Sequence, residues 1–387
     1  MRSLPLLAAM TLAVTATAQD FIHYKFDSTC TTEVINYANG SQALAANGSL
    51  QSTSPTSPYV AGVFGSALAA GSTVAPTYQN LVVTGWDPSV QPVTGDLTMA
   101  WFMRQNVANG SPFYIMGAPS GGFRLFTGGV AGRGLYQRVI LATGGNGTNA
   151  SIANDFYLPD TVVDIQTLAS AGWVHVAMVV DATAATATWY VNGTQALQIT
   201  GVTGGASITA AGPFRLGGYS SVSHFDIDEF LMSFRAYSPA EILVLSLSQQ
   251  AGDGDYVSGS TTQCGSLSLT SANGRPQLSN FFYSLELGVT APSFYQFMFG
   301  LDRCSLGGVL TLPLDAGALA PIATGCTLLT DIAISTGGVA VSPVSQPFPI
   351  LPDPAFVGVQ FFAQGAAIDL TTMTMSASNG FAIAIGN

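Results

Sequence analysis

Asp226, Asp228 and Glu229 form the densest acidic cluster in the sequence. A carboxylate pair facing one cleft is the minimal equipment for glycoside hydrolysis. Asp226 and Asp228 alternate, so on a strand they share one face. The same residue types have two calmer uses: locking a strand by local hydrogen bonds, or holding calcium, which wants several hard oxygen donors. His23, His175 and His224 have no cysteine or second histidine at metal-ligand spacing. His175 falls in mid-strand and reads as a packed residue rather than a base. No G-x-S-x-G elbow is present, so a Ser-His-Asp hydrolase lacks its usual sequence support. Asp253-Gly254-Asp255 starts like a calcium loop but lacks the later acidic positions, and reads as a solvated linker.

Flat rings are the other chemistry-bearing residues, because apolar sugar faces stack on them while polar side chains bond the hydroxyls. Trp86, Tyr114, Tyr136, Tyr157 and Tyr219 lie in or near Gly-rich loop regions and are the candidate ligand contacts. Arg133, Arg138, Asn154 and Asp155 are candidate polar partners. Core packing is the plainer use of each ring.

Charge narrows the partners. Lys plus Arg total 10 and Asp plus Glu 21, for a net charge of −11 over 387 residues. Only 8% of residues are charged, against roughly 25% in an ordinary domain. A duplex nucleic-acid binder is excluded by the lack of clustered cations. The single lysine, Lys25, lies in YKFD, so there is no Walker phosphate loop. Arg2, the apolar run Leu6 to Val14 and Ala16-Thr17-Ala18 read as a secretory signal cleaved after Ala18. Its removal leaves 9 − 21 = −12. No later stretch is apolar for about 18 residues, so no membrane span is expected. The expected location is secreted or cell-surface. There, Cys30, Cys264, Cys304 and Cys326 are expected to form two disulfides. Spacing does not choose among the three pairings. Cys304–Cys326 with Cys30–Cys264 is the preferred set, and Cys264–Cys326 the rival.

The elements that must position these residues are short strands. Leu97 to Met103, Trp173 to Val180, Thr186 to Val191, Phe214 to Gly217 and Asp226 to Phe234 read as strands, with Asn192-Gly193 as a hairpin turn. Ser238-Pro239-Ala240-Glu241 is a capping box opening a helix that Gly252 can stop. Missing crossover helices exclude a parallel sheet. The reading divides the chain into a signal at 1–18, a β domain at 19–250, a linker at 251–263 and a smaller β domain at 264–387.

Trp173-Val174-His175-Val176-Ala177, then Asp181, then Tyr190-Val191-Asn192-Gly193, resembles the W-x-H-V-A…D…Y-x-N-G pattern of laminin-G-like domains in the concanavalin A-like jelly-roll superfamily. Tyr24-Lys25-Phe26-Asp27 resembles the opening strand, and Ile227-Asp228-Glu229-Phe230 with Glu241-Ile242 the closing signature. The resemblance spans about 21–247. It implies an all-β fold, a jelly-roll sandwich of two antiparallel sheets, followed by a smaller β-sandwich-like domain. It also implies a structural Ca2+ held by Asp27 and Asp228 where the first and last strands meet. Glycosidases of that superfamily carry a pattern close to E-x-D-x-x-E; here D-I-D-E-F lacks the first Glu, so no catalytic residue is assigned. Residues 264–387 resemble a C-terminal domain of secreted proteins from planctomycete-like bacteria, through Gly274-Arg275-Pro276-Gln277-Leu278 and Gly325-Cys326-Thr327. The expected function is non-catalytic binding of an extracellular glycan or other polymer. A structural or adhesive protein contacting surface proteins is the alternative, and a divergent glycosidase or polysaccharide lyase the third reading.

Overall fold

The structure is a computed structural model. It describes residues 20–27, 32–38, 43–44, 46–50, 59–69, 81–105, 113–118, 123–127, 134–138, 140–147, 150–209, 212–217, 224–256 and 264–387. The signal at 1–18, Cys30, Arg133 and Tyr219 lie outside the described residues.

Two eight-stranded antiparallel sheets face each other. The first runs, in spatial order, through Thr194–Thr200, Thr186–Val191, Val174–Asp181, Leu97–Gln105, Phe225–Ser233, Ser66–Leu68 and Tyr59–Ala61, with Asp20–Tyr24 also paired to Phe225–Ser233. The second runs through Phe156–Leu158, Leu135–Arg138, Arg124–Thr127, Phe113–Gly117, Arg215–Leu216, Leu81–Val83, Gly48–Leu50 and Glu33–Val34. The period-two alternation of each strand sends one face inward. Val174, Val176, Met178 and Val180 join one core with Trp101, Trp189, Phe156 and Phe214. Trp189 of the first sheet stacks on Phe156 of the second at 5.3 Å. On the outside of the first sheet, Ala177, Val179 and Tyr190 are covered by Ile242 and Leu245.

The hairpin turn sits where Asn-Gly places it. Asn192 and Gly193 take φ values of 48° and 76°, and the Asn192 side chain accepts from the His175 N–H at 3.0 Å. The expected capping box opens the helix Pro239–Leu247, which closes on Ser248 rather than on Gly252. A second helix, Ile165–Ala171, was not expected. Asp164 caps it by accepting from the Thr167 N–H, and it buries only Ile165 and Ala169, too few for a visible periodicity.

Gly252–Tyr256, expected within the linker, is an edge strand of a five-stranded sheet. It pairs with Met375–Ala384, followed by Gln360–Asp369, Ser293–Gly300 and Ile334–Ala340. The sequence GDGDY hides this because its glycines serve close approach instead of a turn. A Cβ on Gly254 would stand 2.2 Å from the Asn36 carbonyl oxygen. A three-stranded sheet of Leu269–Ala272, Ser284–Leu287 and Val344–Pro347 completes the C-terminal core. Ile35 and Tyr37 pack with Tyr256, Phe362 and Ala382, so the two β units share a small core. Ion pairs Asp20–Arg275 and Glu33–Arg303 cross the same boundary.

The preferred disulfide set is corrected. Cys264 bonds Cys326, with Cα atoms 4.7 Å apart, so Cys304–Cys326 does not form. The order of strands brings Cys264 beside Ala377, whose N–H it accepts at 3.0 Å, and not beside the first β unit. Cys304 is disulfide-bonded as well.

Candidate functional site

The outward face of the second sheet carries a line of rings. Tyr157 is the register partner of Tyr136, Tyr136 of Phe126, and Phe126 of Tyr114, so four neighbouring strands each place one ring on one face. Ring centroids are 6.1 Å apart for Tyr157–Tyr136, 4.7 Å for Tyr136–Phe126 and 5.7 Å for Phe126–Tyr114. Their strand neighbours Leu125, Leu135 and Phe156 point into the core instead. Tyr114, Phe126 and Tyr157 are half-buried. Tyr136 is buried, and its hydroxyl donates to Asp155. Asn146 closes one end by accepting from the Tyr157 N–H and donating to its carbonyl, at 3.0 and 2.8 Å.

Sequence reasoning therefore found three of the four rings. It missed Phe126, because the alternation Arg-Leu-Phe-Thr reveals a face only once the neighbouring strands are in register. Asp155 positions Tyr136, whereas Asn154 turns away and donates to the Ala142 carbonyl at 3.0 Å. Trp86 is corrected: it packs in the core against Phe21 and Phe214, 2% exposed, and its indole N–H donates to the Gln91 carbonyl at 3.1 Å. A ring held on both sides offers no face to a sugar. Its edge borders a separate hollow of about 630 Å³ lined by Ser49, Val82, Thr84, Trp86 and Gln91.

The acidic residues do different work. Asp228 Oδ2 accepts from the N–H groups of Val63 and Phe64 at 2.7 and 3.2 Å, and its Oδ1 from Glu229 N–H at 2.8 Å. Asp27 accepts from Ser66 N–H at 2.9 Å and from the side-chain amides of Gln249 and Gln360 at 3.1 and 2.5 Å. The two carboxylates thus clamp the turn between Tyr59–Ala61 and Ser66–Leu68. Glycine is needed there: a Cβ on Gly62 would lie 2.5 Å from Asp228. The expected calcium does not fit this donor set. The carboxylate oxygens already face N–H groups, and the positive charge of the cluster is Lys25, whose Nζ lies 3.3 Å from Glu229. Among the described residues no three His, Cys, Asp or Glu side chains are grouped to hold a metal ion.

Asp226 is bound by Arg104 at 2.7 and 3.1 Å, so it and Asp228 are both committed to local partners. Burial pushes the His175 imidazole down to about 3, and it packs against Phe102 at 4.9 Å. It is a neutral core residue.

Burial, and then the Glu229 carboxylate, push the Asp27 carboxyl up to about 7 from 3.8. A raised carboxyl stabilises the fold while protonated. Its contribution is complete below the unfolded value near 3.8 and is lost as pH rises through about 7. Asp27→Asn keeps the neutral form at every pH. Relative to wild type, the variant is expected to lose less unfolding free energy between pH 5 and pH 8, by on the order of a few kcal/mol. Parallel pH profiles in urea denaturation would contradict the assignment.

No curated protein matches the chain. Among solved structures, domain 4 of an extracellular arabinanase from Geobacillus stearothermophilus, in complex with arabinotriose, is 17% identical, with a TM-score of 0.41 over 59% of this chain and 99% of that one. The binding domain of Paraclostridial Mosquitocidal Protein 1 is 12% identical, with a TM-score of 0.41 over 71% and 65%. The binding domain of botulinum neurotoxin DC, in complex with rat synaptotagmin II, is 11% identical, with a TM-score of 0.40 over 72% and 74%. Residues 77–243, which hold the ring line and most of both facing sheets, match the family model of the concanavalin A-like lectin/glucanases superfamily.

Proposed function

We propose that the protein is a non-catalytic binding protein, exported from the cell, that takes up an extracellular polysaccharide on the outward face of its second sheet. The observation that carries this is the line Tyr157–Tyr136–Phe126–Tyr114. Four rings on four adjacent strands make a platform about 15 Å long at roughly 4.8 Å per strand step; Tyr136 is buried within it, so Tyr157, Phe126 and Tyr114 are the rings a sugar can reach. Three of the four residues keep part of their surface in water. The commitment of Asp226 and Asp228 to Arg104 and to backbone N–H groups supports the non-catalytic part, since neither is free to shuttle a proton. The Cys264–Cys326 bond supports export, because disulfides persist in oxidising compartments.

A second reading, contact with other surface proteins, draws on an apolar hollow of about 550 Å³ in the C-terminal unit, lined by Phe299, Ile334, Phe348, Leu351 and Phe356.

The test is a broad glycan array probed with the purified protein and with Tyr114→Ala/Tyr157→Ala, each checked for an unchanged melting temperature. Loss of one to three kcal/mol of binding per ring is the scale known for stacking on aromatic side chains, so the double variant is expected to bind at least roughly tenfold more weakly. An array on which both proteins bind equally well removes the platform from the account. An array with no binding at all shifts the function to the protein-contact reading.

A further inference from the structure

The same face carries a second line, two residues further along the strands. Arg138 is the register partner of Arg124, Arg124 of Gly117, and Gly117 of Arg215. Arginine thus occupies three of four adjacent strands, with a glycine between two of them, roughly 7 Å from the ring line at about 3.4 Å per residue. All three arginines are half-buried. Every other described Lys or Arg has a carboxylate within 4.0 Å: Lys25 has Glu229, Arg104 Asp226, Arg235 Glu241, Arg275 Asp20 and Arg303 Glu33. Arg124, Arg138 and Arg215 have none among the described residues, and the Nε–H groups of Arg124 and Arg215 are buried without a partner.

This arrangement costs the fold something. Like charges directly opposite on neighbouring strands repel, and Arg138 faces Arg124 in that way. A chain with nine arginines, one lysine and 21 acidic residues places in one row beside its rings three cations that have no carboxylate partner among the described residues. We propose that the saccharide bound here is anionic, with carboxylate or sulfate groups held by Arg124, Arg138 and Arg215 while its rings stack on the aromatic line. This rests on the platform reading above and names its ligand class. Guanidinium groups pair with either oxyanion in a two-point geometry. The spacing suits a polymer with separated charges: neighbouring arginines stand one strand apart, and Arg124 and Arg215 two strands apart, about 10 Å. A polyphosphate is disfavoured, because its dense charge meets a protein of net charge −11 that offers three such cations among the described residues.

The experiment measures binding of the purified protein to polygalacturonate, to its carboxyl-reduced neutral form, to dextran sulfate, to unmodified dextran and to an oligothymidylate. Wild type is compared with Arg124→Gln/Arg215→Gln, Arg124→Lys/Arg215→Lys and Tyr114→Ala/Tyr157→Ala, with melting temperatures as folding controls. The expected result is binding to one or both anionic polysaccharides, at least roughly tenfold weaker in the Gln variant, partly restored in the Lys variant, and weakened by salt. Preference for polygalacturonate or for dextran sulfate tells carboxylate from sulfate recognition. Equal binding of charged and neutral polymers, with the Gln variant like wild type, overturns the anionic reading and leaves the platform standing. Binding of an anionic polymer that the Tyr variant retains and the Gln variant loses overturns the platform instead. Oligothymidylate binding as tight as that of the polysaccharides overturns the saccharide class, and no binding to any polymer overturns both.

Discussion

Lys25→Met is expected to lower the unfolding free energy by about 3–5 kcal/mol, the range for removing one partner of a buried ion pair. Lys25 is fully buried. Its ammonium donates to Glu229 at 3.3 Å and to the Gln250 carbonyl at 2.5 Å, and lies 5.8 Å from the centre of the Tyr37 ring. Glu229 sits where the register of Phe225–Ser233 against Leu97–Gln105 shifts, at φ 47°, and it is held in its charged form against burial by Lys25 and His23. Without Lys25 that carboxylate keeps, among the described residues, His23 at 2.9 Å and Gln249 at 3.1 Å. Two further results follow. Lys25→Met/Glu229→Gln should recover part of the loss, because no unpaired charge then remains inside. The single variant should also recover partly on acidification. Without Lys25, burial acts on Glu229 unopposed by that charge and raises its carboxyl above the ordinary 4.5, so the folded protein takes up a proton there and stability rises as pH falls toward that value. Urea denaturation at pH 5.5 and 8 measures both, and a loss below about 1 kcal/mol at pH 8 would contradict the role of Lys25.

Cys264→Ser/Cys326→Ser is expected to cost about 4 kcal/mol, from the chain entropy released when a loop of this length is opened. The two cysteines are 62 residues apart, and the loop between them includes Ser293–Gly300, the central partner of both Gln360–Asp369 and Ile334–Ala340. The C-terminal unit has the smaller core, so it should lose its protected amides first. Hydrogen exchange of the double variant should show faster exchange in 264–387 than in the strands around Trp101. Equal exchange in the double variant and wild type would show that the bond does not support the sheet.

The fold was legible in proportion to local pattern. Asn192-Gly193 and the Ser238 capping box carry their own geometry, and both lie where the residues place them. In the C-terminal unit the apolar run after Cys326 does not show that Thr327–Leu328 and Ile334–Ala340 are separate strands, divided where Thr330 to Ala333 turns the chain. Gly252–Tyr256 was hidden for the opposite reason: its composition is that of a loop, and only the Asn36 and Tyr37 backbone shows why glycine is needed. Asp27 and Asp228 were read as ligands for a cation. They do converge on one place, but what they hold is a backbone turn. Of the candidate site, Tyr114, Tyr136 and Tyr157 could be named as rings, but nothing in the sequence shows that they are neighbours. Arg124 and Arg215 are 91 residues apart in the sequence, each register-paired with Gly117. Such a row exists only in the register of the sheet.

The most direct test of the central claim is hydrogen exchange of the protein with and without a saturating polysaccharide identified on the array. Binding on the outward face of the second sheet predicts slower exchange in Phe113–Gly117, Arg124–Thr127 and Leu135–Arg138, with Ile334–Ala340 unchanged. Protection confined to Ile334–Ala340 and the C-terminal hollow, with the ring-bearing strands unaffected, would contradict it.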